Sequence, residues 1–195
     1  MNTIERFIKR AFDFSLALIS LLVFSPLIAL IALLIKWEDP KGDVIYKQER
    51  IGYKGRPFIL YKFRSMYVDA ESRGARWAGG EDRRITPFGR FMRKTRVDEI
   101  PQLWNIVKGN MSLVGPRPER PVFCREFEKR IHGWRYRTHV TPGLTGLAQV
   151  MGGYELLPRE KVKLDLAYIR HRGIRTDTRV LLRTIGVITT GSGAR

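Results

Sequence analysis

The longest apolar run of the chain lies near its start, where residues 14–35 carry no charged side chain. A straight helix of this length would be roughly 33 Å long, close to the hydrocarbon thickness of a bilayer. Pro26 lies just past the middle and lacks a backbone N–H, so we expect a kink there and a Leu22 carbonyl without its helical partner. The hydroxyl of Ser25, immediately before the proline, is placed to satisfy a freed backbone group.

Basic residues flank this run on both sides, with Arg6, Lys9 and Arg10 before it and Lys36 after it. The positive-inside tendency favours keeping both flanks on the cytoplasmic side, which a kinked hairpin dipping into one leaflet achieves. From these residues alone, a re-entrant anchor and a full transmembrane helix both remain open. Apolar positions upstream recur at helical spacing between the basic ones, which is typical either of a helix approaching a membrane surface or of the first turns of the same continuous helix.

Beyond Trp37, residues 43–52 and 56–66 are strand-like and are joined by the turn-rich sequence YKGR, which predicts a small β-hairpin. In the second strand, alternation places Ile59, Tyr61 and Phe63 on one face. Lys62 and Arg64 then share the other face, where they form either an ordinary solvated surface or a basic surface with a function.

The pattern downstream predicts helices. Residues 69–83 are polar and rich in glycine, so we expect a mobile loop there. Thr86 as N-cap and Pro87 at the first helical position predict the start of an amphipathic helix with one apolar and one basic stripe. Two further helices are predicted within residues 161–189.

Charge sets the class of partner. The chain of 195 residues has a formal net charge of +17, which predicts an anionic partner such as nucleic acid, a phosphorylated metabolite or an acidic lipid surface. Cys124 is the only cysteine, which excludes an intrachain disulfide and a thiolate zinc cluster. The three histidines show no paired metal-binding spacing.

The segment DEIPQLWNIVKG introduces an acidic pair, Asp98 and Glu99, into this basic chain. Asp98 suits the N-cap of a helix that Gly109 ends, and Glu99 would favour the helix dipole, so a purely structural role is open. Adjacent helical side chains point about 100° apart, which does not suit a pair of carboxylates flanking a sugar. Different roles around one phosphate or one metal ion are the functional alternative.

Two glycine- and proline-rich segments follow the acidic pair. In SLVGPRPE, prolines on both sides of Arg117 restrict the backbone and present a guanidinium suited to a bidentate phosphate contact. In TPGLTGLAQV, Gly143 and Gly146 surround Thr145 and allow a tight backbone approach to a ligand. Neither segment is a Walker phosphate loop.

These blocks together resemble the bacterial sugar transferases, the small monotopic phosphoglycosyl transferases that start cell-envelope glycan assembly on a lipid carrier. The resemblance covers nearly the whole chain. Its blocks are the apolar segment with Ser25-Pro26, YKFRSM, TPFGRFMRKTRVDEIPQLWNIVKGNMSLVGPRPE, TPGLTGLAQV and the final DLAYIR with its downstream aspartate and LLRT.

The resemblance implies a helix-dominated α+β fold whose membrane segment is a re-entrant helix hairpin kinked at Ser25-Pro26. Residues 1–37 would form the anchor and residues 38–195 one catalytic unit with a small β-hairpin and amphipathic interfacial helices. The protein would lie on the cytoplasmic face of the bacterial cytoplasmic membrane, in contact with anionic bilayer lipids. The sequence leaves open whether it forms a homo-oligomer.

The implied reaction moves a sugar phosphate from a UDP-sugar to undecaprenyl phosphate and releases UMP, as the first membrane step of glycan assembly. By the resemblance Asp98 would be the nucleophile that carries a covalent phosphosugar, with Glu99 beside it and Mg²⁺ bound by the pair. The residues assigned to the phosphates and the nucleotide are Arg93, Arg117, Lys62, Arg64 and Gln149.

Two alternatives compete with this interpretation. One is a non-catalytic, membrane-anchored basic module that binds nucleic acid or anionic lipid, although the patterns of common nucleic-acid modules do not occur. The other is a catalytically inactive subunit of an envelope complex. Both leave the block around Asp98, Glu99 and Arg117 unexplained, so we expect an enzyme with no nucleic-acid partner. The sequence does not indicate which sugar is transferred.

Overall fold

The computed structural model of the chain describes residues 1–70, 82–152 and 156–190, so most of the predicted loop at residues 69–83 lies outside the described residues. It confirms a helix-dominated fold with a small antiparallel sheet. The helices are α1 (Thr3–Val23), α2 (Ser25–Glu38), α3 (Pro87–Thr95), α4 (Gln102–Val107), α5 (Pro121–Arg130), α6 (Leu147–Gly152), α7 (Pro158–His171) and α8 (Ile174–Thr190). The strands are β1 (Ile45–Ile51), β2 (Pro57–Phe63), β3 (Ser112–Val114) and β4 (Gly143–Thr145). Strands β1 and β2 form the predicted antiparallel hairpin, and β3 pairs with β4 in parallel.

The predicted break in the apolar segment is confirmed. Helix α1 ends before Ser25, α2 begins there, and the two axes are bent by 60°. The Ser25 hydroxyl donates a hydrogen bond to the Leu22 carbonyl at 2.7 Å, the backbone group that Pro26 leaves without an N–H donor. No described helix is by itself long and apolar enough to cross a membrane, whereas α1 and α2 pass that test as a bent pair.

Helix α1 packs into the first of two core clusters. Ala17 of α1 is completely buried there against Ile106 of α4, Val114 of β3 and side chains of α7 and α8. Arg10, two turns earlier, donates hydrogen bonds to the Ile106 and Val107 carbonyls at 2.6 and 2.8 Å. A cation thus satisfies the carbonyl groups that the end of α4 leaves exposed.

A buried polar network joins α1 to the other end of the chain. Lys9 lies 2.6 Å from a carboxylate oxygen of Asp177 at the start of α8 and 3.5 Å from Asp13. The buried Asp13 accepts a hydrogen bond at 2.7 Å from the Ser112 hydroxyl of β3. Tyr168 of α7 donates to Asp177 at 2.8 Å. The N-terminal helix is therefore held by specific polar contacts to the segment predicted as the catalytic unit.

Helix α2 packs into the second cluster, where Ile31 and Ile35 contact the buried Phe63 of β2 and Met92 of α3. Polar contacts at the carboxyl end of α2 fix this arrangement, because the Arg64 guanidinium donates to the Asp39 carboxylate and carbonyl, both at 2.6 Å. The Glu38 carboxylate accepts the Phe88 N–H at 2.8 Å, at the start of α3.

The start of α3 is also as predicted: the Thr86 hydroxyl accepts the Gly89 N–H at 2.9 Å and Pro87 takes the first helical position. Gly89 leaves no room for a side chain, because a Cβ atom there would lie 2.1 Å from the Ser65 carbonyl oxygen. This close contact brings α3 against the chain that leaves β2.

Asn105 of α4 completes the hydrogen bonding of β2. Its side-chain carbonyl accepts the Tyr61 N–H at 3.0 Å, and its amide donates to the Ile59 carbonyl at 2.7 Å. The residue is completely buried. The short helix α4 therefore replaces a third strand at this edge of the hairpin.

We expect Asn105→Ala to lower the melting temperature by about 4–8 °C, because two backbone groups lose their partner at a cost of about 2 kcal/mol. Tryptophan fluorescence of the detergent-held protein during heating measures this. Asn110→Ala, at an exposed asparagine three residues beyond the same helix, is the control and should melt like the wild type. Equal melting temperatures for the two variants would contradict the role given to Asn105.

Candidate active site

A cavity of about 570 Å³ opens between the hairpin, α3 and the loop before α5. Its wall is strongly basic. The predicted site residues that line it are Lys62, Arg64, Arg93, Asp98, Glu99, Arg117 and Gln149. Strand β2, helix α3, the Gly-Pro-Arg-Pro turn and helix α6 thus converge on one space, although 87 positions separate Lys62 from Gln149 along the chain.

A sharp turn after α3 presents the acidic pair. Arg96 adopts a left-handed backbone with φ of 60°, which is costly for a non-glycine residue, and a short 3₁₀ turn follows over Val97–Glu99. Both carboxylates are buried, with 6% of Asp98 and 8% of Glu99 exposed, and both line the cavity. The positioning of these two carboxylates therefore depends on a strained backbone.

The prediction that Asp98 caps the following helix is wrong. Helix α4 begins only at Gln102, and the residue at its N-cap is Pro101, which makes no side-chain cap. Pro101 has no N–H to donate. Before it the Ile100 N–H donates to the Val97 carbonyl, and after it the Leu103 N–H donates to the Ile100 carbonyl, each three residues back. The chain therefore passes through 3₁₀ turns before the α-helix starts, which leaves the Asp98 carboxylate on the cavity wall.

Glu99 is held by two cations. Its carboxylate lies 3.0 Å from Lys62 Nζ and accepts two hydrogen bonds from Arg117, at 2.5 and 3.3 Å. Burial alone would raise the pKa of Glu99, but Arg117 and Lys62 outweigh it and hold that pKa well below the usual range. Glu99 is therefore a permanent anion that orients both cations.

Asp98 lies in a different environment. Its nearest cation is Lys62, at 3.8 Å, and burial raises its pKa above the ordinary value, while Lys62 opposes that shift and the charge of Glu99 adds to it. A carboxylate that is desolvated and less tightly paired is more available to react than its neighbour. The two carboxylates thus have distinct roles, as expected of a pair that does not face one substrate symmetrically.

The other residues predicted to bind the substrate differ in the contacts they already make within the protein. Arg93 donates through Nε to the Ser65 hydroxyl at 2.9 Å, which aims its guanidinium along the cavity wall. Arg64 is engaged by Asp39, so its contacts join the wall to the end of α2. Gln149 donates to the Leu144 carbonyl at 2.9 Å, and its buried side-chain oxygen accepts no hydrogen bond from the described residues.

The glycines of TPGLTG serve a close approach within the chain. A Cβ on Gly143 would lie 2.1 Å from the backbone nitrogen of Gly115, and a Cβ on Gly146 would lie 2.2 Å from the carbonyl oxygen of Gly115. The Gly115 N–H donates to the Thr145 carbonyl at 2.9 Å. The expected ligand approach is therefore replaced by a contact that fixes the Gly-Pro-Arg-Pro turn.

A buried arginine supports the same turn from behind. Arg137 donates to the Arg117 carbonyl at 2.9 Å and to the Asp165 carboxylate at 2.6 Å, and its guanidinium lies 4.2 Å from the centre of the Trp134 ring. Sequence analysis missed these residues, because no local spacing relates them to Arg117.

Sequence analysis also missed the row that β1 contributes to the cavity, Tyr46, Gln48 and Arg50. The alternation of strand residues was the signal that could have found it, since Tyr46 is the register partner of Lys62. At the end of the row, Glu119 is buried and paired with Arg50 and Lys161.

The site's donor set suits a magnesium ion bound together with a substrate. Within residues 1–70, 82–152 and 156–190, no group of three or more histidine, cysteine or acidic side chains could hold a metal ion. Magnesium commonly takes only one or two protein carboxylates and completes its shell with substrate phosphates and water. Asp98 is the better protein ligand, because Lys62 and Arg117 already occupy Glu99.

Comparison with known proteins identifies the family of the chain. A model of the family described as bacterial sugar transferase matches residues 4–191. The chain belongs to this family. It is 44% identical over 197 residues to UDP-N-acetylgalactosamine-undecaprenyl-phosphate N-acetylgalactosaminephosphotransferase of Aeromonas hydrophila, covering 100% of the chain and 46% of that protein.

Two UDP-glucose:undecaprenyl-phosphate glucose-1-phosphate transferases are also similar. The Escherichia coli protein is 37% identical over 190 residues, covering 95% of the chain and 41% of that protein. The Caulobacter vibrioides protein is 38% identical over 191 residues, covering 95% of the chain and 71% of that protein. The chain thus spans less than half of the Aeromonas and Escherichia proteins. The names of these relatives give different sugars but the same acceptor, undecaprenyl phosphate.

The pairing of Glu119 predicts a specific loss of stability in acid. Burial would raise its pKa, but Lys161 and Arg50 lower the pKa to about 2, from an ordinary value of 4.5. Its stabilising effect is therefore complete above about pH 4.5 and is lost as the pH falls towards 2, by about 3 kcal/mol in total.

We expect Glu119→Gln to melt well below the wild type at pH 7, and the difference to shrink as the pH is lowered from 5 to 3. Melting of the detergent-held protein across this range tests this. Glu128→Gln, at an exposed position of α5, is the control. A difference between wild type and Glu119→Gln that does not change with pH would contradict the assignment.

Proposed function

We propose that this chain is a phosphoglycosyl transferase that moves a sugar-1-phosphate from a UDP-sugar to undecaprenyl phosphate and releases UMP. The observation that carries the proposal is the buried Asp98 carboxylate on a basic cavity wall, beside a Glu99 already paired with Lys62 and Arg117. The names of the relatives support this reaction over a non-catalytic basic module, because each names undecaprenyl phosphate and sugar-phosphate transfer.

In the first half of the proposed reaction, an Asp98 carboxylate oxygen attacks the phosphorus that bears the sugar. The bond between that phosphorus and the bridging oxygen breaks, and UMP leaves with the electron pair. Asp98 then carries the sugar phosphate as an acyl phosphate. Lys62 lies close enough to both carboxylates to offset the repulsion between an incoming diphosphate and Asp98.

In the second half, a phosphate oxygen of undecaprenyl phosphate attacks the same phosphorus. The bond to the Asp98 oxygen breaks, which restores the carboxylate and yields the polyprenyl-diphospho-sugar. Arg117 and Arg93 stabilise the negative charge that develops on the phosphoryl oxygens, since guanidinium groups form strong paired hydrogen bonds with phosphates.

Asp98, with Glu99 beside it, would hold Mg²⁺ in this proposal. The ion would neutralise charge on the diphosphate oxygens. Glu99 itself keeps Arg117 and Lys62 in place, which is why the acidic pair is not two equivalent ligands.

The bent pair α1 and α2 supports a re-entrant anchor on the cytoplasmic face of the cytoplasmic membrane. Large apolar side chains on both helices are exposed, with Phe7 75%, Leu22 68%, Leu33 69% and Trp37 85% accessible. A surface this apolar favours burial in lipid. The basic composition of the chain favours anionic headgroups at the same membrane face.

We expect Asp98→Asn to reduce UMP release at least about 1000-fold, because the amide is a poor nucleophile. The assay uses detergent- or nanodisc-held protein with Mg²⁺, undecaprenyl phosphate and a panel of UDP-sugars. Asp69→Asn, at an exposed aspartate that does not itself line the cavity, is the matched control. Normal UMP release by Asp98→Asn would refute the assignment.

Arg117→Ala should lower kcat/KM for the donor by about 100-fold, because it removes a bidentate phosphate ligand and one of the two partners of Glu99. Arg117→Lys should recover part of this loss, since it restores charge without the fork geometry. Arg125→Ala, on the exposed face of α5, serves as control. Unchanged donor kinetics in Arg117→Ala would remove Arg117 from the site.

A further inference from the structure

The cavity continues away from Asp98 along one face of β1. Tyr46, Gln48 and Arg50 alternate with outward-facing residues and lie in one hydrogen-bonded row. The Gln48 amide donates to the Tyr46 hydroxyl at 3.0 Å, and Arg50 donates to the Gln48 carbonyl oxygen. This row is a continuous polar surface, although no residue of the proposed chemistry lies on it.

The row begins beside the reacting groups. Tyr46 is the register partner of Lys62, whose Nζ contacts both carboxylates. Arg50 lies four residues further along the strand, about 13 Å away at the usual rise of a strand. A ligand whose phosphates lie at Lys62 and Arg117 would therefore extend along the row over the length of a nucleoside.

The far end of the row is closed by α5 and α7 and is rich in cations. Arg50 donates to the Pro118 carbonyl at 3.0 Å and lies 3.5 Å from Glu119, which also pairs with Lys161. The buried Nε of Arg50 has no hydrogen-bond partner among the described residues. The ring of Phe123 lines the same end.

A different part of the cavity wall lies beside the end of α2. Ser65 and Arg93 line it, and Arg64 joins it to Asp39 at the end of α2. A lipid phosphate approaching from the anchor would reach Asp98 from this side. In the proposed reaction the two substrates would thus approach Asp98 along different parts of the cavity wall.

We propose that the row on β1, together with Phe123 and Lys161, binds the nucleoside of the sugar donor; this nucleoside arm rests on the proposed function and adds a specificity site to it. Beyond its contacts with Tyr46 and Arg50, the Gln48 amide has a second N–H and a second oxygen lone pair, which complement the carbonyl and N–H edge of a pyrimidine such as uracil. Phe123 supplies a ring for stacking on a base. Tyr46, the register partner of Lys62, lies nearest to the ribose, and Arg50 and Lys161 close the arm beyond the base.

Steady-state kinetics of the full chain in nanodiscs test the arm. In a two-half reaction, kcat/KM for the donor reports the first half and kcat/KM for undecaprenyl phosphate reports the second. Gln48→Met keeps the size of the side chain and removes its hydrogen bonds, and Phe123→Leu removes the ring. Each should lower kcat/KM for the UDP-sugar about 10-fold or more and leave kcat/KM for undecaprenyl phosphate unchanged.

Inhibition by UDP and by inorganic pyrophosphate distinguishes binding of the nucleoside from binding of the phosphates. Both variants should bind UDP about 10-fold more weakly than the wild type and should bind inorganic pyrophosphate equally well. Glu49→Met, the same kind of change on the outward face of β1, should alter none of these values. Melting of each variant without ligand identifies any that does not fold, in which case the other variant decides.

Unchanged UDP affinity in a folded Gln48→Met or Phe123→Leu would overturn the nucleoside arm. It would also be overturned if kcat/KM for undecaprenyl phosphate fell as much as kcat/KM for the UDP-sugar, or if the affinity for pyrophosphate fell as much as that for UDP. These results presuppose an active wild type. A wild type that releases no UMP with any UDP-sugar, and that UDP does not protect against thermal unfolding, would instead overturn the proposed function itself.

Discussion

The ion cluster around Glu99 is the interaction on which the site depends. One buried carboxylate holds Lys62 from the hairpin and Arg117 from the Gly-Pro-Arg-Pro turn, and thereby joins two elements far apart in the chain. Burying an unpaired charge is expensive, so removing any one of the three groups would leave the charge of its partners poorly compensated. Asp98, next to this cluster and less tightly paired, is the carboxylate that we propose attacks the phosphorus of a substrate.

Helix α2 and the candidate site are joined by direct contacts. Arg64 directly follows β2 and binds Asp39 at the end of α2, while Glu38 binds the first turn of α3, which carries Arg93. The position of α2 is thus coupled to both walls of the cavity over a few residues. In the proposed function, where the acceptor is a lipid, the same contacts would set the height of the site above the bilayer and shape the site.

Local signals predicted much of this structure: the break at Ser25-Pro26, the hairpin, and the Thr86 cap are each consequences of neighbouring residues. The resemblance supplied the roles of the acidic pair. The start of α4 was mispredicted, because Asp98 has the identity of a cap and the effect of Pro101 on hydrogen bonding extends over several residues. The left-handed backbone of Arg96 had no signal in the sequence, because the residue at this helix end is not a glycine or an asparagine. Contacts such as Arg137 with Arg117 depend on packing and could not be read from spacing.

The central claim is that Asp98 becomes covalently attached to the sugar phosphate. Intact-protein mass spectrometry after mixing with Mg²⁺ and the UDP-sugar that the protein uses, with undecaprenyl phosphate left out, measures this directly. The account predicts one added sugar phosphate per chain, mapped by fragmentation to Asp98, together with one equivalent of UMP. Lipid-dependent turnover with no adduct, and with UMP released only when both substrates are present, would contradict it and indicate direct transfer between the two substrates.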